Sequence, residues 1–240
     1  MTGQYLRLVG FTFPFLMNAL GAMMIFFTPG KKDGGIFLGI SAGIMTAACI
    51  FSLIIPAVGL SAHLGGLAFL PACVGLFVGA GFIYFSEKLF KGQGEERKLS
   101  KLFWAVTLHN LPEGLAVGFA FGAGGLGLAS ALSVSFGIGV QNFPEGLAIA
   151  LAYNRNGKNK LKSFSYGVIS GIIEPISALI GAFLVVWLSF LQPLILSFAA
   201  GCMIFVIVEQ LIPDSVHSRG GVWGFIIGFC IMMALDLALG

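Results

Sequence analysis

The sequence predicts an all-α integral membrane protein of eight transmembrane helices, and three observations predict it. The 240 residues are 58% hydrophobic and only 10% charged, where soluble domains carry about 25% charged residues. The apolar residues gather into runs long enough to cross a bilayer, which takes about 20 residues. The basic residues fall almost entirely in alternate connections between those runs. Mean hydropathy is +0.98, and a net charge of +3 is too small to indicate a nucleic-acid partner.

Taken in order, the first run covers 8–27 and stops at Thr28-Pro29-Gly30-Lys31-Lys32. It is long enough to span and lacks a convincing cleavage site, so it reads as a retained helix and not a signal peptide. Runs at 35–56 and 62–86 follow, before the longest hydrophilic connection, Glu87 to Lys101. The fourth and fifth runs, 102–122 and 127–152, lead to Asn154-Arg155-Asn156-Gly157-Lys158. The last three are 164–187, 193–213 and 221–239. Glycine, proline or charge punctuates each boundary. None of the runs alternates, and lipid admits only helices or closed barrels, so each is helical. Residues 1–240 form one polytopic membrane domain on this reading, with no room for a soluble one.

Twelve of the thirteen lysines and arginines lie on one side of this arrangement, and only Arg7 lies on the other. By the positive-inside rule both termini are outside the cytoplasm. A plasma or bacterial inner membrane is the setting implied. Cys49, Cys73, Cys202 and Cys230 fall within apolar runs and form no CxxC pair, so they read as buried thiols.

One phrase is written twice, thirty-two residues apart: His109-Asn110-Leu111-Pro112-Glu113-Gly114 recurs as Gln141-Asn142-Phe143-Pro144-Glu145-Gly146. Each copy puts a carboxylate beside a proline inside a membrane run, and the next run adds Glu174 before Pro175. An acid at mid-membrane costs about 2.5–3.5 kcal/mol on an insertion scale, so something must offset three of them. An internal salt bridge is the ordinary solution. Here every basic residue is assigned to a loop or a helix end, which leaves protons or metal cations as partners.

Spacing favours metal. His109 and Glu113 are four residues apart, as are Gln141 and Glu145, so each pair shares a helix face. Asn110 and Asn142 sit just beside those faces. Pro112 and Pro144 remove the donors of the Leu108 and Val140 carbonyls, which predicts kinks in spans four and five. One imidazole with carboxylates and amide oxygens suits zinc or another divalent first-row metal. Spans four and five are consecutive and run in opposite directions, so the phrase forms an inverted pair near the midplane, a feature of alternating-access carriers. Two converging acids also predict that the empty site holds a proton, which metal displaces.

These residues resemble the Zrt/Irt-like (ZIP) family of divalent metal transporters, and the HNxPEG…QNxPEG pair resembles its GufA-type branch. The resemblance covers essentially the whole chain and implies eight spans with outward termini. It implies a binuclear site, with His109, Glu113, Gln141 and Glu145 at a first position. Asn110, Glu113, Asn142, Glu145 and Glu174 match a second, bridged by the two glutamates of the repeat. Some relatives carry Asp in place of Asn142 and His in place of Gln141. Ser52 resembles an entrance residue; Glu87 and Glu209 resemble exit-side ligands, although Val208 stands where relatives have histidine. His63, His217, Asp214 and Asp236 lie near span ends and read as interfacial.

The expectation is therefore a carrier, not an enzyme, that imports zinc, with iron, manganese or cadmium as further cargo and no resident cofactor. The resemblance implies an elevator-like step of spans one, four, five and six against spans two, three, seven and eight, within a homodimer. A divalent-cation channel is the alternative, distinguished by flux that does not saturate. An intramembrane metal-dependent hydrolase is a further one, but HExxH and a dedicated nucleophile are missing from the sequence.

Overall fold

The computed structural model describes residues 2–28, 34–86, 94–122 and 127–239, and these are helical throughout, with no strand among them. Helix α1 (Thr2–Met23) ends in a short 3-10 turn. Helix α2 (Gly34–Ala48) continues through a π-helical turn (Cys49–Ile54) into α3 (Ile55–Leu60). A 3-10 stretch (Ala62–Leu67) precedes α4 (Phe69–Ser86). Helices α5 (Gly94–Phe121) and α6 (Leu128–Arg155) each carry one copy of the repeated phrase. Next come α7 (Lys160–Gly171) and α8 (Ile173–Leu188), then α9 (Gln192–Val206), which passes through a second π-helical turn (Ile207–Leu211) into α10 (Ile212–Val216). Helix α11 (Arg219–Leu239) completes the described chain.

Six helical segments among the described residues are long and apolar enough to cross a membrane: Tyr5–Phe26, Gly35–Leu60, Phe69–Ser86, Lys160–Leu184, Gln192–Val216 and Arg219–Ala238. They coincide with six of the eight runs read from sequence. The two outside this group are α5 and α6, whose apolar character is diluted by the polar residues of the repeat. Burial is inverted relative to a soluble protein. Phe77, Phe183 and Phe190 are 82%, 79% and 74% exposed, while the glutamates of the repeat are enclosed. Large exposed apolar surface of this kind is suited to lipid.

Prolines explain two of the irregularities. Pro56 cannot donate to the Ser52 carbonyl, and Pro213 cannot donate to that of Glu209. The backbone re-pairs one residue further on in both places, Ile55 N–H donating to Ile50 O and Ile212 N–H to Ile207 O. Ser52 and Glu209 thus each sit inside a π-turn, a geometry that recurs at functional positions. At Pro112 and Pro144 helical assignment continues without interruption.

Packing sorts the helices into two groups. Helix α1 lies on α6 and α7, and α5 lies on α8; α2 lies on α11, and α4 on α9. The groups meet where α5 packs on α9 and α2 on α6. Small buried residues, among them Ala42, Ala116, Ala148, Ala199 and Ala200, line this junction together with Met45 and Met203. They let the backbones approach closely, as membrane helices require. Across the junction Ser41 Oγ donates to the carbonyl of Pro144 (3.0 Å).

Two expectations change. Cys49 and Cys202 are buried, but Cys73 is half-buried and Cys230 is exposed, because an apolar residue in lipid can face outward as readily as inward. Asp236, read from sequence as interfacial, is half-buried on α11 and accepts from Ser52 Oγ (2.6 Å), so it has a partner within the helices. His63, Asp214 and His217 are exposed near helix ends, as expected.

Candidate metal centre

Helix α5 supplies His109, Asn110 and Glu113, and α6 supplies Gln141, Asn142 and Glu145. Glu174 comes from the first turn of α8, directly after a break at Ile172. That break has a local cause. Pro175 leaves the Gly171 carbonyl without its helical donor, and the Ile172 N–H turns back to Ile169 O (3.2 Å). All seven side chains named from sequence are enclosed: five are 0% exposed, and Glu145 and Glu174 are 1% exposed.

The glycine of each phrase fixes which helix approaches. A Cβ on Gly114 would collide with the Glu174 carbonyl and Ser177 Oγ, and one on Gly146 would collide with the Asn18 carbonyl. Glycine at these two positions lets α8 lie against α5 and α1 against α6. The Glu174 backbone is thereby brought to the residue that follows Glu113.

The two copies pair reciprocally. His109 Nε2 and Glu145 Oε2 are 2.9 Å apart and share a hydrogen bond. Gln141 Nε2 donates to Glu113 Oε1. Ligand-capable atoms of His109, Glu113 and Glu145 all lie within 4.8 Å of one another. Asn110 Nδ2 donates to Ser170 O (3.2 Å).

These bonds leave much unsatisfied. His109 Nδ1, Asn110 Oδ1, Glu113 Oε2, Gln141 Oε1, Glu145 Oε1, and both polar side-chain atoms of Asn142 and Glu174 are buried without a partner. Buried polar groups ordinarily find a partner, and leaving one unpaired costs about 1–3 kcal/mol, more when charged. A cluster of orphaned acceptors on three helices is suited to a cation with its water.

A cavity of about 410 Å³ adjoins this cluster, lined in part by Ser52, Ser133, Ile138, Met232 and Asp236. Its wall includes Ala116 and Val140, neighbours in sequence of Glu113 and Gln141. Asp236 Oδ2 is buried and unpartnered. Asp236 was not singled out from sequence because its approach to Ser52 joins two residues 184 positions apart.

Glu209 stands apart from the centre, 3.9 Å from Lys101, with 41% and 19% of the two side chains exposed. Lys101 lies about two turns before His109 along α5. Glu87 lies outside the described residues. Asn18 on α1 is a residue that sequence reading passed over: it is 0% exposed and touches both α6 and α7.

The family profile described as ZIP zinc transporter matches residues 100–236. The chain is similar to zinc transporter ZIP11 of Bos taurus, 32% identical with 97% of each chain covered. It is similar to zinc transporter GufA of Myxococcus xanthus, 36% identical over 93% of this chain and 94% of the relative. Zinc transporter ZIPB of Bordetella bronchiseptica is 34% identical over 94% of this chain and 79% of its own length.

Proposed function

The chain belongs to the ZIP family of zinc transporters, and from that premise we propose that it imports zinc into the cytoplasm through the centre between α5, α6 and α8. It is a multi-pass membrane transporter of divalent metal and not an enzyme. The observation that carries the site assignment is the set of buried, unpartnered acceptors on the repeated phrase and Glu174. His109, Glu113, Gln141 and Glu145 form the first metal position. Asn110, Asn142 and Glu174, with the two bridging glutamates, form the second.

On this reading the chain is one domain of eight spans, α5 and α6 being the fourth and fifth, with both termini outside. The reciprocal pairs His109–Glu145 and Gln141–Glu113 support taking the repeat as an inverted pair. Metal enters past Ser52 and Asp236 through the adjoining cavity and leaves toward Glu209. The helix group holding the site moves against the other group, exposing the centre to each side in turn. Ala-lined contacts between the groups suit such sliding, since small side chains interlock little. The protein acts as a homodimer in the bilayer. Iron, manganese and cadmium are further cargoes, because one imidazole among oxygens discriminates weakly among these metals.

Uptake of labelled zinc into proteoliposomes tests the proposal. Wild type should show saturable uptake, and Glu113→Ala and Glu145→Ala should abolish it. Undiminished uptake by both variants would sink the site assignment, and flux that fails to saturate would favour a channel.

A further inference from the structure

We infer that Asn18, on α1, is a positioning residue of the second, oxygen-rich position: it ties the Glu145 helix to the Glu174 segment and offers Oδ1 to a water carried by the cation. This rests on the metal-transport reading above. Asn18 is fully buried. Its Nδ2 donates to the Gly167 carbonyl (2.9 Å), while its Oδ1 has no partner.

Two glycines make the slot that holds this amide. A Cβ on Gly146 would meet Asn18 Oδ1, and a Cβ on Gly171 would collide with Asn18 Nδ2. The oxygen is therefore turned toward α6 and the nitrogen toward α7. Gly146 follows Glu145 and lies one turn beyond Asn142 on the same face. Gly171 is three residues before Glu174, and its neighbour Ser170 accepts from Asn110. Asn18 thus stands between α6, which bears Asn142 and Glu145, and the end of α7 that leads into Glu174.

The surroundings state what the oxygen needs. Asn110 Oδ1 and Asn142 Oδ1 are buried acceptors without donors, and the buried Glu174 carboxylate has the Asn142 amide beside it as a donor. A further acceptor cannot satisfy acceptors, but a hydrated divalent cation can. The ion takes the carboxylate, and its waters supply the O–H groups that amide oxygens accept. Such outer contacts orient ligands and typically change metal affinity by about 10–100-fold when removed. A side chain serving only to fill the slot would require no amide.

The test titrates purified full-length protein with zinc by equilibrium dialysis, counting metal per chain. Variants are Asn18→Leu, Asn18→Asp, His109→Ala, Glu174→Gln and the Asn18→Leu/Glu174→Gln double. Wild type should take two zinc ions. Asn18→Leu should weaken one binding event by about 10–100-fold and spare the event lost in His109→Ala. In the Glu174→Gln background Asn18→Leu should add nothing. Asn18→Asp, which keeps the size and an acceptor oxygen but loses the Nδ2 donor to the Gly167 carbonyl, should weaken the same single event and spare the other. Should Asn18→Leu fail to fold, Asn18→Asp decides: loss of both events together overturns the inference. Equal weakening of both events by Asn18→Leu, no change, additivity with Glu174→Gln, or a single zinc in wild type also overturns it. A wild type that binds no zinc at all sinks the transport reading itself, which is a different result.

Discussion

At the scale of the residue, the two copies of the phrase are unequal, and the inequality falls on an atom of the proposed metal site. His109 offers a nitrogen where Gln141 offers an amide oxygen. Imidazole favours zinc over manganese, whereas oxygen donors suit the harder ion. Gln141→His should therefore raise the preference for zinc, read as a lower zinc concentration for half-displacement of labelled manganese in an uptake competition. His109→Gln should move the preference the other way. Both histidine and glutamine were legible as ligand candidates because the i, i+4 spacing places them with Glu113 and Glu145 on shared faces. Asn18 and Asp236 were not. Each owes its setting to residues far off in the chain, Gly167 for one and Ser52 for the other.

At the scale of the element, the phrase does more than present ligands. Its glycine is the contact point for a neighbouring helix, and a methyl group there would strike backbone. Gly114→Ala and Gly146→Ala should each cost about 1–3 kcal/mol through overpacking, measured as a lower apparent melting temperature in detergent. Gly59→Ala makes the control, since nothing lies within 4 Å of a Cβ placed there; it should leave the melting temperature unchanged or slightly raised. Prolines behaved differently from one helix to the next. Those at 56 and 213 accompany π-turns and the one at 175 a break, whereas helical pairing runs past 112 and 144. Sequence shows which carbonyl loses its donor, but not how the neighbouring turns rearrange to accommodate the loss.

At the scale of the molecule, the proposed metal centre would also be a proton site, because its carboxylates and imidazole must be free of protons to bind a cation. Zinc affinity should therefore rise with pH, and uptake should slow when the bath is taken from about pH 7 to about pH 5. Proton release on zinc addition, followed with a pH indicator in weakly buffered solution, gives the same sign independently. Affinity that stays flat across that range defeats this account. Division of the helices into two groups sets where such a centre can open. The proposed ligands all belong to one group, while most of the cavity wall, including Ser52, Pro56, Leu196, Met232 and Asp236, belongs to the other.

The sequence by itself determined the helical membrane class, the apolar runs and the acids that need a cation, because hydropathy, charge placement and helical spacing are local and additive along the chain. It also brought forward seven candidate ligands, six from the repeated phrase and Glu174 as a third acid without a basic partner, and the family resemblance arranged them into two positions. Tertiary structure alone decided which atoms remain unpartnered, that Asn18 lies between α6 and α7, and that Asp236 closes on Ser52 beside a cavity. Those outcomes depend on backbones meeting at glycines tens of residues apart, and no local pattern in the chain specifies which two helices will meet.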